Sequence, residues 1–255
     1  MKTLATDHLA IEIHPDRPAM GKAAAAKAAS ILRNAIGQQG SARLIVASAP
    51  SQDELLENLA AAPDLDWSVV TIFHMDEYLG LPAGHPATFR AYQESGFLTK
   101  IRPAAFHGIR GESLDIDSEC ERYAALLAEA PIDLVCMGIG ENGHIAFNDP
   151  PVADFNDPLL IKPVTLDAAC RLQQVHDGCF PDLDSVPTRA LTLTCPALMS
   201  AEAVVCVVPG PRKAAAIRST LTEPIHPSCP ATIVRLHPHA VLYLEKDSAH
   251  LLFSS

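Results

Sequence analysis

The sequence predicts a single α/β domain over residues 1–255, built on a mostly parallel, Rossmann-like sheet with helices on both faces. Three observations carry that expectation. Short apolar runs alternate with longer Ala- or Leu-rich stretches of helical character along the whole chain. Some runs, such as Ala203–Val208 (AVVCVV), are apolar at every position, as strands buried on both faces are. Chemically rich turns follow several of these runs, where open parallel sheets collect their ligands. At 255 residues one domain is enough, and 48% hydrophobic residues supply an ample core.

Taken in order, His8–His14 alternates in strand fashion at an edge of the fold. Residues 18–38 are Ala-rich with Lys and Arg on one side and read as a long helix. Arg43–Ser48 is a short strand, followed by Ala49-Pro50-Ser51-Gln52 and a helix over Asp53–Ala62. Trp67–Phe73 is the next buried strand, running into His74-Met75-Asp76-Glu77-Tyr78. Helices are predicted for Pro86–Thr99, with Pro86 in the first turn, and for Leu114–Ala130. The run from Ile132 to Met137 is a strand. The chain is then loop-rich to Pro163 and again over Asp177–Pro187, so segment 151–187 is expected to cover the molecule as a lid. A short helix is assigned to Thr165–Val175, and strands to Ala190–Thr194, Ala203–Val208 and Ala240–Glu245.

Composition removes several function classes. Lys and Arg number 19 against 30 Asp and Glu, a net charge of −11, which opposes nucleic acid or an anionic membrane as partner. Seven cysteines (Cys120, Cys136, Cys170, Cys179, Cys195, Cys206, Cys229) form no CxxC pair and read as reduced core thiols. Met1–His8 has no apolar signal-peptide region, and no run is long enough to span a membrane. A cytoplasmic location is expected, and a homo-oligomer is allowed.

Two turns concentrate the chemistry. Asp76 and Glu77 stand just past a buried strand, where desolvation raises a carboxylate pKa toward the range useful for proton transfer; a solvated turn is the alternative. Gly138-Ile-Gly140-Glu-Asn142-Gly143-His144 follows the Ile132 run, with Asp149 five residues after the histidine. Its glycines match the spacing of a dinucleotide fingerprint, but Pro150-Pro151 interrupts the helix that fingerprint needs. A metal reading would use His144, Asp149, His74 and Asp76, although neither histidine belongs to an HxH or HxxxH pair. A structural imidazole at His144 and acid–base chemistry on a small anionic substrate are the remaining readings. Anion sites are suggested at two strand–helix turns: Ser48, Ser51 and Gln52, where Ser51 is otherwise an N-cap, and Arg212-Lys213.

The segment from Phe73 to Pro86, carrying Met75-Asp76-Glu77-Tyr78, Gly80-Leu-Pro82 and His85-Pro86, resembles the signature of glucosamine-6-phosphate deaminases. Gly138–Pro150, with His144-Ile-Ala-Phe-Asn148-Asp149, is similar to that family's second motif, and weaker similarity runs from about residue 43 to 245. The related 6-phosphogluconolactonases share the glycine–histidine core alone. The resemblance implies an amino-sugar-phosphate deaminase/isomerase working without cofactor or metal, turning glucosamine 6-phosphate and water into fructose 6-phosphate and ammonia. It implies that Asp76 carries the proton from C2 to C1, that His144 opens the ring, and that Asp149 orients the imidazole. Asn142, an amide in place of a short acidic or amide residue, would orient without accepting a proton. Ser48, Ser51, Gln52, Gly143 and Lys213 would hold substrate and phosphate.

Three departures stand out. Asp149 replaces a commoner glutamate, the Ser48–Gln52 turn has no glycine, and the family's phosphate arginine is absent in register, with Gln173 or Gln174 in its place and Arg171 nearby. A different amino sugar phosphate therefore stays open. So do a related sugar-phosphate isomerase, a 6-phosphogluconolactonase-like hydrolase and a non-catalytic sugar-phosphate sensor.

Overall fold

The computed structural model describes residues 1–253. In chain order the elements are β1 (Lys2–Thr6), β2 (Leu9–His14), α1 (Arg17–Gln39), β3 (Ala42–Val46), α2 (Asp53–Ala60), β4 (Val70–His74), β5 (Asp76–Tyr78), α3 (Phe89–Ser95) and β6 (Ala105–His107). They continue with α4 (Ile116–Ala128), β7 (Leu134–Met137), β8 (Ile161–Thr165), α5 (Ala168–His176), β9 (Arg189–Leu193), α6 (Cys195–Met199), β10 (Val204–Val208), α7 (Ala214–Thr222) and β11 (Ala240–Glu245).

Eight strands form the main sheet in the order β1-β2-β11-β10-β7-β3-β4-β6. Every pairing in it is parallel except the β1–β2 hairpin. Alternation along each strand serves two cores. Leu44 and Val46 of β3, with Val205 and Val207 of β10, pack under α1 and α2. Ile45, Cys206 and Val208 point the other way, toward Tyr123 and Leu127 of α4 and Ile217 of α7. The expected mostly parallel sheet, covered on both faces by helices, is present.

The structure adds a second, three-stranded antiparallel sheet in the order β5-β9-β8. The expectation of a loop through Pro163 and a helix from Thr165 is corrected by β8. Pro163 cannot donate to a ladder, yet β8 is an edge strand, where one face needs no donor. Helix α5 starts only at Ala168, with Asp167 as its cap accepting from Ala169 N at 3.3 Å. Segment 151–187 thus contains a strand and a helix. Helix α3 is likewise shorter than Pro86–Thr99: Pro86 lies in a turn, the Thr88 hydroxyl caps Ala91 N, and Gly96 ends the helix. Trp67–Val69 is a 3₁₀ turn leading into β4. Among the described residues no helix is long and apolar enough to cross a membrane.

Helix α1 follows from its caps as much as from its alanines. Asp16 accepts from Ala19 N at 2.8 Å, and Gly40, at φ +79°, closes the far end on Ile36 O. Gly21 lets α2 approach closely, since a Cβ there would lie 2.3 Å from Glu54 Cβ and 2.9 Å from its backbone carbon. Gly→Ala inside a helix ordinarily stabilises by about 0.5–1 kcal/mol. Here the sign reverses: Gly21→Ala should cost about 1–3 kcal/mol through overpacking, read as a lower urea midpoint with unchanged slope. An unchanged or raised midpoint would show that the two helices do not depend on this contact.

Candidate active site

Four parallel strands, β3, β4, β7 and β10, end at one rim of the main sheet, and the loops that follow them enclose one cavity. It holds about 510 Å³ of space, part of it continuous with solvent. The β3 loop supplies Ser48, Ser51 and Gln52; the β4–β5 junction, Asp76; the β7 loop, Gly138, Gly140 and His144; the β10 turn, Lys213. Helix α5 closes a wall with Gln173 and Gln174. A larger hollow lies at the opposite end of the strands, beside Lys27, Asp133 and Glu202, but it lacks this convergence of acid, imidazole and buried cation.

Asp76 is 6% exposed and Glu77 1%. Burial, then the neighbouring Glu77 charge, pushes the Asp76 carboxyl well above the usual carboxylate range. Glu77 does not share the cavity. Its oxygens accept from Tyr78 N (2.9 Å), Phe89 N (3.0 Å) and Arg90 N (2.8 Å), which ties β5 to the start of α3. Burial raises Glu77 to about 7, against the pull of those N–H groups and of Arg90. The solvated-turn alternative for these two residues is therefore ruled out by their burial.

His144 is held from behind. The Asn142 amide donates to Asp149 Oδ1 at 2.9 Å, and a carboxylate can only accept, so the Asn142 carbonyl faces His144. That carbonyl oxygen lies 2.7 Å from His144 Nδ1, and Asp149 Oδ1 lies 3.1 Å from it. With two acceptors at Nδ1, the ring proton belongs there and Nε2 keeps its lone pair. Burial tends to raise Asp149, but hydrogen bonds from His144, Asn142 and the Asp167 N–H outweigh it and hold the carboxylate below its ordinary range. Gly140 is required by the ring itself, because a Cβ there would fall 2.2 Å from His144 Cε1.

The two halves meet through β9. Asp76 pairs with Thr192 across the small sheet, and Thr192 Oγ1 accepts from Phe147 N at 3.0 Å. Asn148 donates its side-chain amide to Leu193 O at 2.8 Å. The loop bearing His144 is thus stitched to the strand beside Asp76.

Asn142 and Asp149 stand behind His144, away from the cavity wall. Gly143 (φ +83°) also lies off the wall, with its carbonyl accepting from Ala231 N at 2.8 Å, and a Cβ there would fall 2.9 Å from Cys229 Sγ; a direct substrate contact at Gly143 is not what this placement offers. Ser51 caps no helix, so its N-cap reading is set aside; its Oγ accepts from Gln52 Nε2 at 3.2 Å. The Ser48 hydroxyl accepts from Gln93 Nε2 at 2.9 Å. Lys213 is buried, and among the described residues its ammonium makes no hydrogen bond or ion pair, only its backbone N–H donating to Gly210 O at 3.2 Å. Burial lowers its pKa, partly countered by Asp177 and Glu141. His74, considered above as a metal ligand, instead accepts from Ile109 N at 2.7 Å in the core. Arg171 turns away to the carbonyls of Leu183 and Val186. Sequence reasoning missed Cys170, which lies on the same helix face as Gln173 and Gln174 and brings its sulfur within 4.8 Å of a carboxylate oxygen of Asp149; the i, i+3, i+4 spacing was the available signal.

A sequence profile of glucosamine-6-phosphate isomerases/6-phosphogluconolactonase matches residues 15–161. Glucosamine-6-phosphate deaminase of Listeria welshimeri is 33% identical over 189 residues, 74% of this chain and 79% of that protein. The protein of the same name from Pseudarthrobacter chlorophenolicus is 33% identical over 230 residues, 88% and 87% of the two chains. A solved monomeric glucosamine-6-phosphate deaminase superposes with a TM-score of 0.86 at 27% identity, covering 94% of this chain and 99% of its own. The 6-phosphogluconolactonase of Trypanosoma brucei reaches 0.79 at 17% identity, with 98% and 100% covered, which bears on the fold alone.

The environment of Asp76 yields a prediction. Titrated by carboxyl carbon NMR, Asp76 should have its midpoint clearly above about 4, and Glu77→Gln should lower it by removing a neighbouring negative charge. A midpoint near 4, or one indifferent to residue 77, would contradict this electrostatic picture.

Proposed function

The chain belongs to the glucosamine-6-phosphate isomerase/6-phosphogluconolactonase family, and from that premise we propose that it is an amino-sugar-phosphate deaminase/isomerase. The reaction would convert glucosamine 6-phosphate and water to fructose 6-phosphate and ammonia. The observation that supports it most is a single one: the Asp76 carboxyl, the His144 imidazole and the Lys213 ammonium open onto one cavity.

In this reading the chemistry runs in an order that the side chains suit. A C2 proton is weakly acidic until the pyranose opens to an aldehyde. His144, with its proton on Nδ1 and a lone pair on Nε2, accepts the C1 hydroxyl proton and passes one to the ring oxygen. Asp149 and Asn142 hold the ring in that tautomer. Asp76 then takes the C2 proton and returns it at C1; a desolvated carboxylate is a stronger base than one in water. The enediol-like intermediate is stabilised by loop N–H groups. Proton return at C1 leaves an imine at C2; water adds there and the carbinolamine expels ammonia, leaving the ketose. Lys213 takes the phosphate, with Ser48, Ser51 and Gln52 beside it.

A specific observation favours a variant of this reading. Gln173 and Gln174 line the cavity while Arg171 is engaged elsewhere, so Lys213 is the one lysine or arginine on the wall among the described residues. Amides recognise hydroxyl patterns, whereas a guanidinium clamps a phosphate. An amino sugar phosphate other than glucosamine 6-phosphate is the substrate that this wall would prefer. A panel of amino sugar phosphates scored for ammonia release tests both; release from none of them, with activity on a lactone instead, would overturn the proposal.

Asp76→Asn should lower kcat by roughly 10³-fold with substrate binding retained. The raised pKa of Asp76 also fixes a sign: its protonated, inactive form persists to higher pH, so kcat/KM should rise with pH through a value above the ordinary carboxylate range. His144→Gln should slow turnover of the cyclic sugar far more than that of an open-chain analogue. Equal losses on both would remove the ring-opening role.

A further inference from the structure

Beneath the cavity, three buried side chains of different chemistry come together: His144, Asp149 and Cys170. Their ligand atoms all lie within 4.8 Å of one another, and they form the one cluster of three such groups among the described residues. The imidazole Nδ1 is 3.1 Å from Asp149 Oδ1, and the Cys170 sulfur lies within 4.8 Å of both residues' ligand atoms. Cys170 reaches this place because α5 puts it one turn before Gln173 and Gln174, on the face turned to the site.

We propose that this triad is an inhibitory site for a thiophilic divalent cation of the zinc class. Donor type makes the choice: nitrogen, thiolate and carboxylate together suit zinc, whereas calcium and magnesium want oxygen alone. Tetrahedral coordination places ligand atoms roughly 3.5 Å apart, so the 3.1 Å nitrogen–oxygen pair opens slightly and the sulfur, within 4.8 Å of both, closes in. Three protein ligands leave the fourth position to a water, and of the three His144 lines the cavity from which a cation would enter. Binding exchanges one bond for another without redox change: the S–H bond of Cys170 breaks, its proton leaves to solvent, and a sulfur–metal bond forms. Burial raises the Cys170 thiol pKa well above its ordinary value, so that proton is present until a metal displaces it.

The consequence for turnover rests on the acid–base role of His144 given above. Asp149 lies on the Nδ1 side of the ring, so a cation shared with it takes Nδ1 and the ring proton moves to Nε2. The acceptor is thereby lost, and the cation acts as an off switch on that acid–base role.

The binding half is tested without any substrate. Calorimetry with Zn²⁺ on the full chain should give one site that releases about one proton, seen by repeating the titration in two buffers of different ionisation enthalpy. Cys170→Ala should weaken that site by about 30-fold or more, and Cys170→Ser, which keeps the side-chain volume, should do the same. Co²⁺ should show a thiolate-to-metal charge-transfer band that both variants lose. Equal Zn²⁺ affinity in wild type and variants, or no thiolate band, overturns the site. The switching half is tested by ammonia release: Zn²⁺ should suppress it and a chelator restore it, and full activity at saturating Zn²⁺ would overturn the inhibitory role. Should no amino sugar phosphate be turned over, the catalytic reading falls while the calorimetry still decides the metal site.

Discussion

A carboxylate held out of water is the constraint on which the rest of the structure depends. Asp76 sits where the chain leaves the main sheet at His74 and, one residue later, enters the small one. Neither sheet alone could bury it. The main sheet sets its position at the rim, and β9 covers it through the Asp76–Thr192 pairing. A second buried acid, Glu77, is tolerated because three backbone N–H groups at β5 and the start of α3 receive it. Burying such charges costs free energy that a fold recovers only with satisfied partners. The proteins that match this chain share the fold around this rim, and the enzyme reading is tied to it.

The imidazole side of the cavity is built by a different means. There the buried carboxylate of Asp149 is satisfied by several donors, and geometry fixes a tautomer. Gly140 removes the side chain that would collide with the ring, and the Asn142–Asp149 contact orients an amide whose carbonyl then meets Nδ1. The shorter acid at 149 still reaches the ring, at 3.1 Å, because the loop from Ile145 to Asn148 turns tightly under β9, with Ala146 at φ +49°. Thr192 therefore serves both halves, pairing with the acid's strand and holding the loop's Phe147 N–H.

Much of this was legible before any coordinates. Runs such as Val204–Val208 are apolar on both faces and can only be interior strands, so the parallel sheet was readable from pattern. The two long motifs likewise located Asp76 and His144. The small sheet was not readable, for physical reasons. At three residues, β5 is too short to show a period, and β8 carries a proline that its edge position alone makes acceptable. The helix at Thr165 and the longer α3 failed because capping residues, Asp167 and Thr88, override apolar spacing at helix starts. Nothing local in the sequence reveals that Arg171 turns outward to Leu183 and Val186, or that Cys170 meets Asp149, because both depend on where α5 docks.

The claim at the centre is that one shielded carboxyl both removes and returns the migrating proton. Isotope transfer measures it directly. Glucosamine 6-phosphate, or the amino sugar phosphate that the panel selects, is deuterated at C2 and turned over once in ordinary water. A measurable fraction of the label should arrive at C1 of the ketose, because Asp76 is only 6% exposed while the proton waits on it. Product carrying no label at C1, with all of it in solvent, would contradict transfer by a single buried acid.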